Sequence, residues 1–123
     1  MRESGGMRPQ AIHHVSINVT DTKDAMRFYV DVLGLTERHD RPDFGIGGAW
    51  LDAGAQQVHL IEAETPPAMG QHFAFLVEDL DAVVTELREQ GLTVSDPSGI
   101  GPGRQAFTQD PAGNVIELNE PNA

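Results

Sequence analysis

Ile12-His13-His14-Val15-Ser16-Ile17-Asn18-Val19-Thr20-Asp21 returns in altered form as His72-Phe73-Ala74-Phe75-Leu76-Val77-Glu78-Asp79. Counted from His14 and from His72, a Val follows five places on and an Asp stands two places after that. His14 and His72 are 58 positions apart. The same interval relates Leu51-Asp52 to Gln109-Asp110, Leu60 to Leu118, and His59 to Glu117. A fixed internal interval marks a duplicated supersecondary unit. His14 and His72 open the two units and His59 and Glu117 close them, so side chains able to bind metal fall at equivalent points.

The first unit spans about 12–62. Ile12 to Val19 alternates Val15, Ile17 and Val19 with His14, Ser16 and Asn18, the pattern of a strand with one buried face. Thr20 and Asp21 are N-cap candidates for a helix over Thr22 to Leu33, with apolar residues at Ala25, Phe28 or Tyr29, Val32 and Leu33. Gly34 suits its left-handed stop. Strands are expected at Leu35 to His39, around Trp50-Leu51, and at Gln57 to Ile61, where alternation groups His59 with Gln57 and Ile61. Arg41 to Gly48 reads as a loop.

Glu62 to Gln71, with Pro66, Pro67 and Gly70, links the units. The second, about 70–120, repeats the order: strand His72 to Val77, helix Leu80 to Gln90, Gly91 as stop, a short strand near Thr93 to Ser95, a loop over Asp96 to Gly103, then strands Arg104 to Gln109 and Val115 to Asn119. Asp110-Pro111-Ala112-Gly113-Asn114 is a hairpin turn. Two halves of strand, helix and three strands predict an α+β domain over 12–120, its helices on the convex faces of curved mixed sheets and a concave face left for chemistry.

Composition narrows the function. The chain has 123 residues and is 39% hydrophobic, enough for one core and too short for two independent domains. A net charge of −11 argues against nucleic acid or an anionic membrane as partner. Cysteine is absent, so a metal can be held only by imidazole and carboxylate. No run approaches the roughly 20 apolar residues of a membrane span, and residues 1–10 lack a signal-peptide core. The expected compartment is the cytoplasm. Residues 1–11 are expected to be a flexible extension, with Met7 a candidate native start.

His14-Val15 through Asp21, Phe28-Tyr29 followed by Val32-Leu33-Gly34-Leu35, His72 through Asp79, Phe107, and Asp110-Pro111-Ala112-Gly113-Asn114-Val115-Ile116-Glu117-Leu118 together resemble the vicinal oxygen chelate superfamily. That group includes lactoylglutathione lyase, methylmalonyl-CoA epimerase, extradiol dioxygenases, and fosfomycin and bleomycin resistance proteins. The resemblance implies paired βαβββ modules with one divalent metal held by residues of the first and last strands of each module, which here are His14, His59, His72 and Glu117. It also implies a homodimer in which each site draws on two chains, unless both modules of one chain close a site.

Three imidazoles and one carboxylate accept Fe(II), Ni(II), Co(II), Zn(II) or Mn(II). Such an ion polarises a carbonyl and acidifies the neighbouring C–H, the step common to the lyase and epimerase branches. Glu117 is the expected base. A blander reading of Glu117 is a salt bridge with Arg27 or Arg104, and His13 and His39 are given no role. Asn18, Trp50, Arg104 and Phe107 are expected to line a small-molecule pocket. Lactoylglutathione lyases tend to carry Arg where this chain has Asn18, Asn where it has Ala63, and a carboxylate where it has His59. An extradiol dioxygenase with His59 as acid-base residue and a non-enzymatic antibiotic-binding protein are the alternatives. Phe107 stands where those dioxygenases carry a Tyr, and three His ligands go unexplained by an antibiotic-binding role.

Overall fold

Two βαβββ units follow one another along the chain. The first comprises β1 (His14–Val19), helix α1 (Thr22–Met26, widening into a π turn over Arg27–Val32), β2 (Thr36–Glu37), β3 (Gly48–Ala53) and β4 (Gln56–Glu62). The second comprises β5 (Phe73–Leu76), α2 (Leu80–Glu89), β6 (Ser98–Ile100), β7 (Gly103–Gln109) and β8 (Val115–Glu120). The computed structural model describes residues 6–122. The extension expected at residues 1–11 lies partly outside the described residues. Among the described residues no helix is long and apolar enough to cross a membrane.

Each unit folds into a four-stranded sheet, ordered β1-β4-β3-β2 and β5-β8-β7-β6. The first and last strands of each unit are parallel neighbours, and the other pairs are antiparallel. Alternation along the strands then sorts the faces. Val19, Leu51, Val58 and Leu60 pack on Ala25, Phe28 and Tyr29 of the first helix, while Leu118 and Ala106 pack on Leu80, Val84 and Leu87 of α2. Ile116 of the second sheet joins the first cluster, with Phe73 and Phe75 packed against it, so the two units share apolar contacts.

Asp21 and Asp79 cap the two helices, accepting from Asp24 N at 3.1 Å and from Ala82 N at 3.1 Å. Neighbours in an α-helix point about 100° apart, which is why the sequence offers Phe28 or Tyr29 to the core. The structure buries both, leaving 5% and 0% exposed. Leu33 N bonds Phe28 O at 2.9 Å, five residues back, and the wider turn brings the adjacent rings inward together.

Two expectations about strands are corrected. Leu35 to His39 contributes only Thr36–Glu37 to the ladder. Thr93 to Ser95 is not a ladder strand; the edge strand is β6, inside the segment read as a loop. Residues 93–95 are tied to β7 partly by side chains: Ser95 Oγ accepts from Phe107 N at 2.8 Å and Thr108 Oγ1 donates to Thr93 O at 2.9 Å. The turn at Gly101, with φ of 53°, folds β6 back on β7, a pairing that the Pro and Gly content of the segment conceals.

The hairpin after β7 joins the units through one carboxylate. Asp110, 4% exposed, accepts at Oδ1 from Ala112 N and Asn114 N, both at 2.9 Å, and at Oδ2 from Tyr29 Oη at 2.7 Å and Asn114 Nδ2 at 2.8 Å. Asn114 Nδ2 also donates to Asn18 O at 2.8 Å, reaching β1. Burial, then the charge and hydrogen bond of Asp110, push the Tyr29 phenol far above its ordinary pKa, so it stays a donor. Asp110→Ala strands these donors in a dry site and is expected to cost about 3–5 kcal/mol, against about 1–3 kcal/mol for Tyr29→Phe. Urea unfolding of the two variants checks the order; equal and small losses would contradict it.

Candidate functional site

The sheet faces turned away from the helices carry the polar residues of the repeat. In the first sheet three rows cross β1, β4 and β3: His14, Gln57 and Asp52; Ser16, His59 and Trp50; Asn18, Ile61 and Gly48. In the second, Ala74, Glu117 and Phe107 form one row, and His72 immediately precedes β5. The period of two along each strand aims these side chains to one side.

In the first unit the rings stack in series. Trp50 lies parallel to His59 with centroids 4.5 Å apart, and His59 lies parallel to His14 at 4.0 Å. His59 is 9% exposed and its Nε2 meets Gln57 Oε1 at 2.8 Å. Burial, reinforced by His14 and His13, lowers its pKa, so it stays neutral with one nitrogen lone pair to offer. His14 is exposed, and its Nδ1 lies 2.9 Å from His13 Nδ1. His13, given no role by strand parity, therefore orients His14.

In the second unit His72 Nε2 meets Glu117 Oε1 at 2.9 Å, and His72 Nδ1 lies 2.8 Å from Gly70 O. Glu117, 8% exposed, takes Asn119 Nδ2 on Oε2 at 2.9 Å. The Phe107 ring meets His72 edge to face at 5.5 Å. Acceptors at both ring nitrogens, Gly70 O and then Glu117, raise the His72 pKa. Its proton sits where a cation between the two groups would go. Two neighbouring ligands at about 2.1 Å from one ion are about 3 Å apart when their bonds are at right angles, so this N–O separation fits a shared metal.

The four residues come together as two pairs, not as one centre. Among the described residues no three His, Asp or Glu side chains are grouped to hold an ion. The physical reason is that each pair belongs to its own unit, and among the described residues no strand pairing joins the two sheets.

Trp50 and Phe107 stand beside the two pairs. Asn18 is on the same face as His14, but its amide is spent on Glu64 O at 2.9 Å. Arg104 is corrected: it faces α2, paired with Asp81 at 2.8 Å and close to Glu120, and lines no part of this face. Neither arginine suggested for Glu117 reaches it, since Arg27 pairs with Asp24. Sequence reading grouped Gln57 with His59 but gave it no role, and passed over Asn119, although it is two residues from Glu117 on the same strand; the period of two was the available signal.

In the metal-free protein His72 is expected to titrate above, and His59 below, the ordinary value of about 6.5. The His72 contact with Glu117 thus contributes stability that is full below that value and lost as pH rises through the higher folded pKa. Histidine ring chemical shifts followed against pH check the order; His59 titrating last would refute it.

The family described as "Glyoxalase/Bleomycin resistance protein/Dioxygenase superfamily" matches residues 11–118. Glyoxylase I 4 of Arabidopsis thaliana is 27% identical, over 96% of this chain and 76% of that protein. Among solved structures, a glyoxalase family protein described as putative, from Bacillus anthracis, has a TM-score of 0.84 at 29% identity, covering 94% of this chain and 98% of the other. TnmS3, an antibiotic binding protein from Streptomyces sp. CB03234, has a TM-score of 0.77 at 31% identity, covering 95% and 100%. With the paired βαβββ fold and a family match spanning both units, the chain belongs to the glyoxalase/bleomycin resistance protein/dioxygenase superfamily.

Proposed function

We propose that the chain is a metal-dependent lyase or isomerase of the glyoxalase kind, acting on a small oxygenated substrate by proton abstraction next to a carbonyl. The observation that carries the reading is the contact of His72 Nε2 with Glu117 Oε1 at 2.9 Å, the spacing of two ligands of one ion. A divalent ion held by His14, His59, His72 and Glu117, whether Fe, Ni, Co, Zn or Mn, supplies Lewis-acid polarisation of substrate oxygens.

The chain's own groups divide the remaining work. Three imidazoles engaged as ligands have no lone pair left to take a proton, whereas Glu117 has a second carboxylate oxygen and is the base. Asn119 holds that oxygen and orients the carboxylate. Trp50 and Phe107 supply apolar walls.

The separation of the pairs supports a homodimer in which the first unit of one chain faces the second unit of the other. Leu76 lies on the face of Glu117 and is 76% exposed, an apolar surface for a partner to cover. A doubly substituted His14→Ala/His59→Ala chain mixed with a His72→Ala/Glu117→Ala chain is then expected to recover one full site per mixed dimer, half the wild-type metal content. No recovery, with the wild type binding about one ion per chain, would refute the shared site. Uptake of no ion by the wild type would refute the metal centre and leave a binding role of the kind TnmS3 has.

Neutral, buried His59, held by Gln57, favours a second reading, a ring-cleaving dioxygenase with His59 as acid-base residue. Glu117→Gln decides between them. If Glu117 is the base, metal occupancy falls less than turnover, measured as solvent deuterium exchange into 2-oxoaldehyde hemithioacetals or acyl-CoA thioesters. Oxygen uptake with a catechol, without proton exchange, favours the dioxygenase.

A further inference from the structure

We infer that Arg41 anchors an anionic group of the substrate, so that the site takes a planar compound bearing a carboxylate, its ring against Phe44 and Trp50. The inference rests on the site proposed above and names its substrate class. Arg27, Arg38, Arg88 and Arg104 are each bound to a carboxylate. Arg41 has no carboxylate within ion-pair distance among the described residues. Its Nη2 donates to Ile46 O at 3.1 Å, and its guanidinium carbon lies 5.0 Å from the centre of the Phe44 ring.

That cation sits at the end of a continuous series of rings. Phe44 lies 6.2 Å from Trp50, Trp50 stacks on His59, and His59 stacks on His14. Gly48, two residues before Trp50, is required first by the backbone, since a Cβ there would meet Leu60 O at 2.2 Å; Arg41 Nη2 packs against the same position, 2.8 Å from where that Cβ would be. In a chain of net charge −11 a carboxylate ligand is repelled from most of the surface, so a cation without a carboxylate beside the site selects where it binds. Phe44 is 57% exposed and Ile46 54%, leaving apolar surface for the body of such a ligand beside the charge. A planar guanidinium partly engaged by one carbonyl keeps donors for a two-point hold on a carboxylate.

Trp50 is the one tryptophan of the chain, so its fluorescence reports on this site directly. The probes are 3,4-dihydroxybenzoate and its uncharged match, 3,4-dihydroxybenzamide, titrated into full-length protein with and without Zn(II). The benzoate is expected to bind about tenfold tighter or better. Arg41→Gln abolishes that preference while leaving benzamide affinity within about twofold, Arg41→Lys keeps part of it, and Arg88→Gln keeps it all. Equal affinities in the wild type, no binding of either probe, equal weakening of both by Arg41→Gln, or an equal loss in Arg88→Gln would each overturn the assignment. The preference is expected in both conditions, so a protein that takes up no ion overturns the metal centre and, with the preference intact, still supports Arg41.

Discussion

The Asp110 carboxylate accepts four hydrogen bonds, two from its own hairpin backbone, one from Asn114 and one from Tyr29 of the first helix. Both its oxygens are filled, which makes a charge at 4% exposure tolerable. Through Asn114 the same hairpin grips the Asn18 carbonyl on β1. The relation between β1, which opens the first unit, and β8, which closes the second, therefore depends on this polar contact as well as on the apolar packing around Ile116. Since His14 is on β1 and Glu117 on β8, the contact also sets how the two halves of the candidate site are presented.

Each half of the site is built in the same manner, with different chemistry. The first is a row of aromatic rings whose His59 is kept neutral by burial. The second is an imidazole between a backbone carbonyl and a carboxylate, and those two acceptors raise its affinity for a proton. Gly70, Gln57, His13 and Asn119 orient the four principal side chains, and such outer partners fix which ring nitrogen is exposed. Burial lowers one pKa and acceptors raise the other, so opposite physical causes serve sites at equivalent points of the repeat.

Much of this was legible in the chain itself. The interval from His14 to His72 and from His59 to Glu117 announced the duplication, and alternation of two correctly grouped His14 with Asn18 and His59 with Gln57. Asp21 was readable as a helix cap because a short acceptor side chain before an amphipathic run has one favourable use. The β6 strand was not readable, because Ser98-Gly99-Ile100 has the composition of a loop and pairs only once Gly101 turns it onto β7. Arg104 was misassigned because alternation was not carried along β7: Arg104 and Phe107 are three apart, so their side chains leave opposite faces of the sheet.

The sequence alone determined the repeat, the two helices and which residue types could meet a cation, since those follow from spacing and side-chain chemistry. Tertiary structure alone decided that both Phe28 and Tyr29 are buried, because the wide turn after Met26 depends on the core it fills. It also decided that the four site residues form two pairs, one on each sheet. Distances between groups 58 positions apart depend on how two sheets pack, and local periodicity carries no information about that packing.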